Sequence, residues 1–326
     1  MCTSIAFRNK NLYFGRTLDN DFSYNEQVVI TPRNYKFNFK HLPILEHHYA
    51  MIGMAFVYKD YPLYYDGVNE KGLCIAGLNF VGYAKYNSVS DSKNNVAQFE
   101  FIPYLLATCD SVDSVKNLLE NINIIDTCFD DTMPHAELHW MIADDKQSIT
   151  VECVDKGLKI YDNPVGVMAN NPEFDDHLFS LNNYMNLTNK QPKNNFCDKD
   201  KLNLNHYCRG IGALGLPGDL TSQSRFVRAS FVNMNAYKPE NELDNISQFF
   251  HVIGSVEQQK GCSDLGDGKY ETTIYTSCMD AKKGVYYYTT YNNHQISGVN
   301  MFNENLNKDC LIQYDLCQKE CINYQN

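Results

Sequence analysis

Hydrophobic and polar residues alternate in short runs near the start of the chain, and this alternation is typical of β-strands. Residues 3–8 and 12–18 show it on either side of Asn9-Lys10-Asn11, so the sequence predicts a β-hairpin there. Similar runs predict strands at residues 27–30, 50–58, 73–78, 137–143, 148–154, 158–161, 165–168, 272–279, 284–291 and 295–301. The predicted strands therefore come in clusters.

Helical spacing of apolar residues separates these clusters. It predicts a helix over residues 99–107 and a second one, capped by Asp110 or Ser111, that runs to Leu119. Further helices are predicted at residues 177–187, 222–237 and 246–256, and residues 189–205 are predicted to form a long surface loop. Clusters of strands between clusters of helices favour an α+β fold with antiparallel sheets. No linker or internal repeat divides the chain, so we expect a single domain over residues 2–326.

Composition narrows the functional class. The formal net charge is −11 without any long basic run, which argues against a nucleic-acid or anionic-membrane partner. No secretory signal or membrane span is evident, and the 12 cysteines are dispersed, with Cys74, Cys109, Cys153 and Cys278 in apolar runs. We therefore expect reduced thiols, no zinc site and a cytoplasmic protein.

Cys2 is a candidate nucleophile because it directly follows Met1. If Met1 is removed, one residue carries both a thiol and a free α-amine. An α-amine has a reference pKa of about 7.7–8.0, so it can act as a general base near neutral pH. The thiolate is a strong nucleophile that nearby cations favour. A small residue at this position without any catalytic role is the common alternative.

Arg16 and Asp19 follow the second strand of the predicted hairpin, close to Cys2. A guanidinium there would favour the thiolate, and a carboxylate could hold and orient the α-amine. A surface ion pair at a strand end explains the same two residues equally simply.

Asn79 and Asn170 each lie at the end of a predicted strand. Amide side chains and backbone N–H groups in such places can form an oxyanion hole, although they are also common in turns. Arg225 and Arg228 lie three residues apart on one predicted helix, so at most one of them is expected to face a site.

Seven sequence blocks together resemble the choloylglycine hydrolase family, the N-terminal-nucleophile group that contains bile salt hydrolases and penicillin V acylases. They are Met-Cys-Thr (1–3), Tyr-Phe-Gly-Arg-Thr-Leu-Asp (13–19), Asp-Gly-Val-Asn-Glu-Lys-Gly-Leu (66–73), Ala-Gly-Leu-Asn-Phe (76–80), Asn-Pro-Val-Gly-Val-Met-Ala-Asn-Asn-Pro (163–172), Gly-Leu-Pro-Gly-Asp-Leu-Thr-Ser-Gln-Ser-Arg-Phe-Val-Arg (215–228) and Tyr-Thr-Ser-Cys-Met (275–279). The resemblance extends from Cys2 to about Met301.

The resemblance implies a four-layer αββα sandwich, commonly assembled as a homotetramer, and a mechanism that needs no metal or organic cofactor. It also implies roles for six residues. These are Cys2 as the nucleophile, Arg16 and Asp19 as the groups that tune the thiol and hold the amine, the Asn79 N–H and the Asn170 amide as the oxyanion hole, and Arg225 as a more distant arginine of the site.

The implied substrates are conjugated bile salts such as glycocholate and taurocholate. Asn79 stands where penicillin V acylases tend to carry tyrosine, which favours bile salts, and penicillin V acylase is the alternative. Segments that match the pocket loops of the family contain Tyr58, Tyr65, Phe129 and Met133. Together with Leu18 near the nucleophile, they would provide the apolar wall that a steroid needs, although each could equally be a core residue. A non-catalytic bile-acid-binding protein is the alternative from another class.

Overall fold

Antiparallel β-sheet forms most of the regular structure. A computed structural model of the chain describes residues 1–133 and 135–326. The strands, in chain order, are β1 Cys2–Arg8, β2 Leu12–Asn20, β3 Gln27–Thr31, β4 Met51–Tyr58, β5 Tyr61–Asn69, β6 Cys74–Asn79, β7 Asn94–Ala97, β8 Ile122–Ile125, β9 Leu138–Ala143, β10 Ser148–Val154, β11 Gly157–Asp162, β12 Val167–Met168, β13 Asp264–Gly266, β14 Lys269–Tyr270, β15 Thr272–Asp280, β16 Val285–Thr290, β17 Asn293–Asn300 and β18 Ile312–Tyr314. The predicted hairpin is therefore confirmed as β1 and β2.

The α-helices occupy the intervals that helical spacing predicted. They are α1 Phe101–Thr108, α2 Val112–Leu119, α3 Phe174–Ser180, α4 Ser222–Asn235 and α5 Glu242–Gly254. The Ser111 side chain accepts a hydrogen bond from the Ser114 N–H at the start of α2, so Ser111 is the predicted cap. No described helix is long and apolar enough to cross a membrane.

Two large sheets, both antiparallel, lie at the centre of the fold. In the first sheet the strand order is β12-β1-β2-β15-β16-β17, and in the second it is β11-β10-β9-β6-β5-β4-β3-β18. One apolar core lies between the sheets and contains Phe14 of the first and Met54 of the second. A second core joins the second sheet to α1 and α2, and a third joins the first sheet to α4 and α5. The layers are therefore α, β, β and α, as the resemblance implied.

The structure corrects several predicted elements. Strand β5 was not predicted, because Pro62 and Gly67 interrupt its pattern. The strands β7, β8, β13, β14 and β18 were not predicted because they are very short. The helix predicted over residues 177–187 is wrong in extent, since α3 ends at Ser180 and a 3₁₀ turn follows. Only the second half of the strand predicted at 165–168 is formed, as β12, Val167–Met168.

Two other expectations are confirmed. Residues 189–205 contain neither helix nor strand. The cysteines in apolar runs, Cys74, Cys109, Cys153 and Cys278, are all buried free thiols. Burial raises the pKa of the Cys153 thiol to about 11, so it stays protonated and behaves as a small apolar side chain.

Alternation along β1 decides which side chains face the second sheet. Ser4 donates to the sulfur of Met141 on β9, at 3.1 Å, so the even-numbered residues of β1 point between the sheets. Cys2 belongs to this set, and Arg16 on β2 lies directly opposite Ser4 in the ladder. The odd-numbered residues Thr3 and Ile5 face the helical layer instead.

Candidate active site

Cys2 lies at the first position of β1 and is 1% exposed. Met1 and Asp19 exchange both backbone hydrogen bonds, at 2.8 and 2.9 Å, so Cys2 and its opposite residue Leu18 form a non-hydrogen-bonded pair. The Cys2 N–H therefore points away from β2. It donates to Oδ1 of Asn170 at 2.7 Å.

Arg16 is fully buried, and its guanidinium lies against the Cys2 thiol. Nη2 donates to Cys2 Sγ, Nη1 donates to the carbonyls of Gly77 and Tyr65 in the second sheet, and Nε donates to the Thr17 carbonyl. Three of these four acceptors are neutral backbone oxygens that fix the direction of the guanidinium. The group is thus positioned by both sheets with one N–H aimed at sulfur.

The charge of Arg16 persists despite its burial. Desolvation alone would lower the pKa of Arg16, but nearby groups that can carry negative charge, Cys2 first among them, raise it above its ordinary value. A buried cation that has lost its water is costly unless an anion balances it, at several kcal/mol per ion as an order of magnitude. The arrangement therefore favours Cys2 as a thiolate.

The Asn170 side chain connects the nucleophile to the end of β6. Its Oδ1 accepts from the Cys2 N–H and from Nη2 of Arg225, the latter at 2.8 Å, and its Nδ2 donates to the Asn79 carbonyl at 2.7 Å. Both donors to Oδ1 require an oxygen there, so the amide orientation is determined by its partners. The second N–H of Nδ2 remains as a donor for a ligand.

The backbone of Asn79 faces the Asn170 side chain. The N–H of Phe80 donates to Glu137 at 2.7 Å across the β6–β9 ladder, so the backbone groups of Asn79, one residue earlier, point the other way. The Asn79 carbonyl accordingly reaches Asn170, and the Asn79 N–H lies on the same edge of the strand. The structure thus brings together the two predicted oxyanion-hole residues.

Arg225 approaches Cys2 from the helical layer through α4. Its Nη1 donates to the Cys2 carbonyl at 2.6 Å and to Oγ1 of Thr3, and its Nε donates to the Leu220 carbonyl at 3.0 Å. Arg228, by contrast, donates to the carbonyls of Pro217, Asp219 and Ser255 and has no contact with Cys2 among its hydrogen bonds. Only the first arginine of the pair reaches the site, and it positions the backbone of Cys2.

The Asp19 carboxylate lies on the opposite face of the first sheet from the thiol. Because Arg16 and Asp19 are three residues apart on one strand, their side chains alternate to opposite faces. Asp19 Oδ1 accepts from Thr273 Oγ1 at 2.7 Å, and Oδ2 accepts from Gln258 Nε2 and Thr17 Oγ1, both at 3.2 Å. In the chain that retains Met1, Asn170 rather than Asp19 accepts from the Cys2 nitrogen.

Met1 is firmly held in this structure. Its α-ammonium forms an ion pair with Glu271 and donates to the Asp19 carbonyl at 2.8 Å. While the Met1–Cys2 peptide bond exists, the Cys2 nitrogen is an amide and has no lone pair for proton transfer. The α-amine chemistry expected from the sequence therefore requires removal of Met1.

A buried histidine supports the Asn170 segment from behind. His177 on α3 donates through Nε2 to the Asn170 carbonyl at 2.8 Å, and its ring stacks on Phe226 of α4 at 4.7 Å between centroids. Burial lowers the pKa of His177 to about 4, so the ring is neutral near pH 7 and the carbonyl partner fixes its proton on Nε2. This position gave no recognisable signal in the sequence.

A cavity of about 490 Å³ opens above the thiol. Cys2, Arg16 and Asn79 form its polar end, and Asp19 also lines it, although the Asp19 carboxylate is bound on the other face of the sheet. Most of the remaining wall is apolar and includes four of the predicted pocket residues, Leu18, Tyr65, Phe129 and Met133, together with Tyr24, Phe56, Leu63, Tyr64, Val81, Phe99, Ala136 and Leu138, which the sequence reasoning missed. The size and lining suit an amphipathic ligand with one polar end.

Tyr58 lies outside this wall, one layer behind it. Its ring packs edge-on against Phe129, with 5.8 Å between centroids, so it supports the wall from behind. Phe56, two residues earlier on β4, lines the cavity, and Tyr24 reaches it from the loop between β2 and β3. The conformation of the loop and the register shift between β4 and β5 at Met54 and Ala55 affect which aromatic residues line the cavity, and neither can be predicted from residue type. Among the described residues no cluster of three or more His, Cys, Asp or Glu side chains has the geometry of a metal site.

Comparisons with known proteins agree with this geometry. Residues 2–314 match the sequence model of a family described as linear amide C–N hydrolases, choloylglycine hydrolase family. A protein of Lactiplantibacillus plantarum named bile salt hydrolase/transferase is 52% identical over 316 residues, which cover 97% of each chain. A protein of the same name from Clostridium perfringens is 38% identical over 332 residues and all of both chains.

Solved structures give the same result for the fold. A crystal structure of a mutant conjugated bile acid hydrolase from C. perfringens superposes with a TM-score of 0.91 at 36% identity, covering 100% of both chains. The penicillin V acylase of Agrobacterium tumefaciens superposes with a TM-score of 0.75 at 22% identity, over 96% of this chain and 91% of that one. At this identity the second match shows a shared fold only.

The contact between Arg16 and the thiol predicts that Arg16→Gln slows alkylation of Cys2. Without the guanidinium the thiolate loses its buried countercharge, so the rate constant with iodoacetamide at pH 7 should fall by roughly ten-fold. Mass spectrometry of the N-terminal peptide follows Cys2 separately from the other cysteines. Arg228→Gln is the matched control and should alkylate at the wild-type rate; equal rates for Arg16→Gln and wild type would contradict the assignment.

Proposed function

The chain belongs to the choloylglycine hydrolase family of linear amide C–N hydrolases, and on that premise we propose that it hydrolyses glycine- or taurine-conjugated bile acids. Two relatives at 52% and 38% identity, both matched over nearly their whole length, carry the name bile salt hydrolase/transferase. The reaction breaks the amide bond between the bile acid carbonyl and the amino acid.

One observation carries the proposal: the Cys2 thiol, with the guanidinium of Arg16 against it, lies at the polar end of a largely apolar cavity. A conjugated bile salt has the matching distribution of groups, because its steroid is apolar and its amide lies near the charged end. With the steroid among Phe129, Met133 and Leu138, the amide would extend toward Cys2.

The first step forms a tetrahedral intermediate. After Met1 is removed, the Cys2 α-amine takes the thiol proton, directly or through a water molecule, and the thiolate attacks the amide carbonyl carbon. A C–S bond forms while the carbonyl π electrons move to oxygen. The ordinary pKa of an α-amine, about 7.7–8.0, suits a base that must work near neutral pH.

The oxyanion that results would be bound at the end of β6. The Asn79 N–H and the free N–H of Asn170 Nδ2 lie on the same edge and can both donate to it. Losing one such donor typically costs about 10²–10³ in kcat. Arg225 acts behind them by holding Asn170 Oδ1 and the Cys2 carbonyl, so it is a positioning residue here.

Collapse of the tetrahedral intermediate releases the amino acid. The C–N bond breaks, and the protonated α-amine gives its proton to the leaving nitrogen. Water then attacks the thioester with the same amine as base, the C–S bond breaks, and the free bile acid leaves with the thiol restored. The chain's own groups therefore supply nucleophile, base and acid.

Release of glycine or taurine from glycocholate and taurocholate, compared with cleavage of penicillin V, tests this proposal. We expect cleavage of the bile salts to be faster, in protein whose loss of Met1 is verified by mass spectrometry. Cys2→Ser should retain the thermal unfolding midpoint and lose activity by roughly a thousand-fold, because a hydroxyl is a far weaker nucleophile with an amine as base. Faster cleavage of penicillin V, or a folded and active Cys2→Ser variant, would contradict the proposal.

The names of the relatives support acyl transfer as a second reaction. The thioester carbonyl carbon can be attacked by a neutral amine instead of water, so that a C–N bond forms, the C–S bond breaks and the amine proton passes to the Cys2 α-amine. Incubation with glycocholate and excess alanine should therefore yield the alanine conjugate, detected by mass. Formation of cholate alone at every alanine concentration would show that water is the only acceptor.

We propose a homotetramer, and the segment between α3 and α4 supports an interface. Its apolar side chains Met185, Phe196, Tyr207 and Leu214 are 75–82% exposed in the single chain. Light scattering should give the tetramer mass for the wild type and a smaller mass for the variant with Phe196→Ser and Tyr207→Ser. Ile322→Ser, an exposed apolar residue outside this segment, is the control and should stay tetrameric. A monomeric wild type would contradict the proposal.

We also propose a cytoplasmic location. The cysteines are all free in the structure, and Cys74, Cys109, Cys153 and Cys278 are buried as thiols. A reducing compartment keeps such thiols, and the nucleophile Cys2, from forming disulfides.

A further inference from the structure

Asp66 is a buried carboxylate that the reaction described above does not use. It lies on β5 between the two sheets, is 0% exposed, and opens the sequence block at residues 66–73. Its oxygens accept from Tyr275 at 2.8 Å, from Tyr286 at 2.6 Å and from Ser277 at 3.4 Å. Two phenols and a hydroxyl thus converge from β15 and β16 on one carboxylate of the facing sheet.

This carboxylate lies close to Arg16. Ser277 contacts both residues. Its Oγ accepts a hydrogen bond from the backbone N–H of Arg16 at 3.0 Å and donates one to Asp66 Oδ2 at 3.4 Å. The Arg16 guanidinium also donates to the carbonyl of Tyr65, the residue before Asp66. The hydrogen-bond acceptors of the guanidinium are three carbonyls and the Cys2 sulfur. The groups that raise the pKa of Arg16 through space are Cys2, Tyr275, Asp66 and Asp19.

We propose that Asp66 shares the positive charge of Arg16 with Cys2 and thereby sets the pH range in which the nucleophile ionises. Asp66 touches no reacting atom and is thus a positioning residue, which acts through Arg16 and also by its own repulsion of a thiolate at Cys2; the inference rests on the proposed role of Cys2 as nucleophile. The two phenols donate to different oxygens of Asp66, Tyr286 to Oδ1 and Tyr275 to Oδ2, so Asp66→Asn keeps an acceptor for one phenol and places an NH₂ group opposite the other.

Electrostatics gives the direction of the effect. A second anion near one buried cation disfavours ionisation of the first, because both draw on the same charge and repel each other. Burial raises the pKa of Asp66, while Arg16 and the two phenols oppose that rise, so carboxylate and thiol compete for the same guanidinium. Removing the carboxylate therefore favours the Cys2 thiolate.

The other ionisable groups around this pair are few. Arg225 of α4 and Asp19 of β2 act on Cys2 from the helical face, and Tyr275, Tyr286 and Cys74 face Asp66 from β15, β16 and β6. The phenols and the buried Cys74 thiol have pKa values raised well above the ordinary range by burial, so they remain neutral below pH 9.

The test is the rate of Cys2 alkylation by iodoacetamide as a function of pH in processed Asp66→Asn protein. The pH of the half-maximal rate should fall by about one unit relative to wild type. Asp280→Asn is the matched control, because Asp280 is an equally buried carboxylate of the first sheet that accepts from Asn11 and the Lys283 N–H, away from Arg16. Its profile should coincide with that of wild type.

A double variant keeps the test decisive if Asp66→Asn alone does not fold. Arg16→Gln with Asp66→Asn removes both buried charges together, and its half-maximal pH should lie below that of Arg16→Gln alone. Profiles unchanged by loss of Asp66 in both backgrounds, or shifted to higher pH, would overturn the inference. Hydrolysis of glycocholate by the wild type, measured in parallel, reports on the proposed function separately.

Discussion

A guanidinium buried between two sheets is the feature on which the site depends. Arg16 gives up its water only because carbonyls of Gly77 and Tyr65 from one sheet and of Thr17 from the other accept its protons. Those acceptors leave one N–H directed at the Cys2 sulfur. The packing of the sheets is therefore also what directs the positive charge at the nucleophile.

The alternation of hydrogen-bonded and non-hydrogen-bonded residue pairs along the strands fixes the orientation of the other groups of the site. Because Met1 pairs with Asp19, the Cys2 nitrogen faces Asn170, and because Phe80 pairs with Glu137, the Asn79 backbone faces the same amide. A shift of one residue in either ladder would reverse the backbone groups of that ladder, and in the β1–β2 ladder it would also place the thiol on the helical face. Register between strands, more than any single side chain, thus brings the proposed oxyanion-hole groups of Asn79 and Asn170 close to Cys2.

The sequence predicted the parts of the site that depend on neighbouring residues. The hairpin placed Arg16 close to Cys2, and the alternation of apolar residues gave most strands of both sheets. Closeness of Cys2 to Asn170 and Arg225 could be inferred only from the family resemblance, since these residues are separated by 168 and 223 positions. Arg16 and Asp19 were both expected close to Cys2, and the period of a strand places their side chains on opposite faces of the first sheet. The displaced Tyr58 and the network around Asp66 depend on packing between elements, which residue types alone do not determine.

Trapping the covalent intermediate tests the role of Cys2 as nucleophile most directly. Processed protein is mixed with glycocholate, quenched with acid within milliseconds, digested, and the mass of the peptide that begins at Cys2 is measured. The account predicts a cholyl group attached to Cys2 through a thioester that hydroxylamine releases, and none on chains that retain Met1. Rapid hydrolysis without any acyl group on Cys2, or an acyl group on another residue, would contradict it.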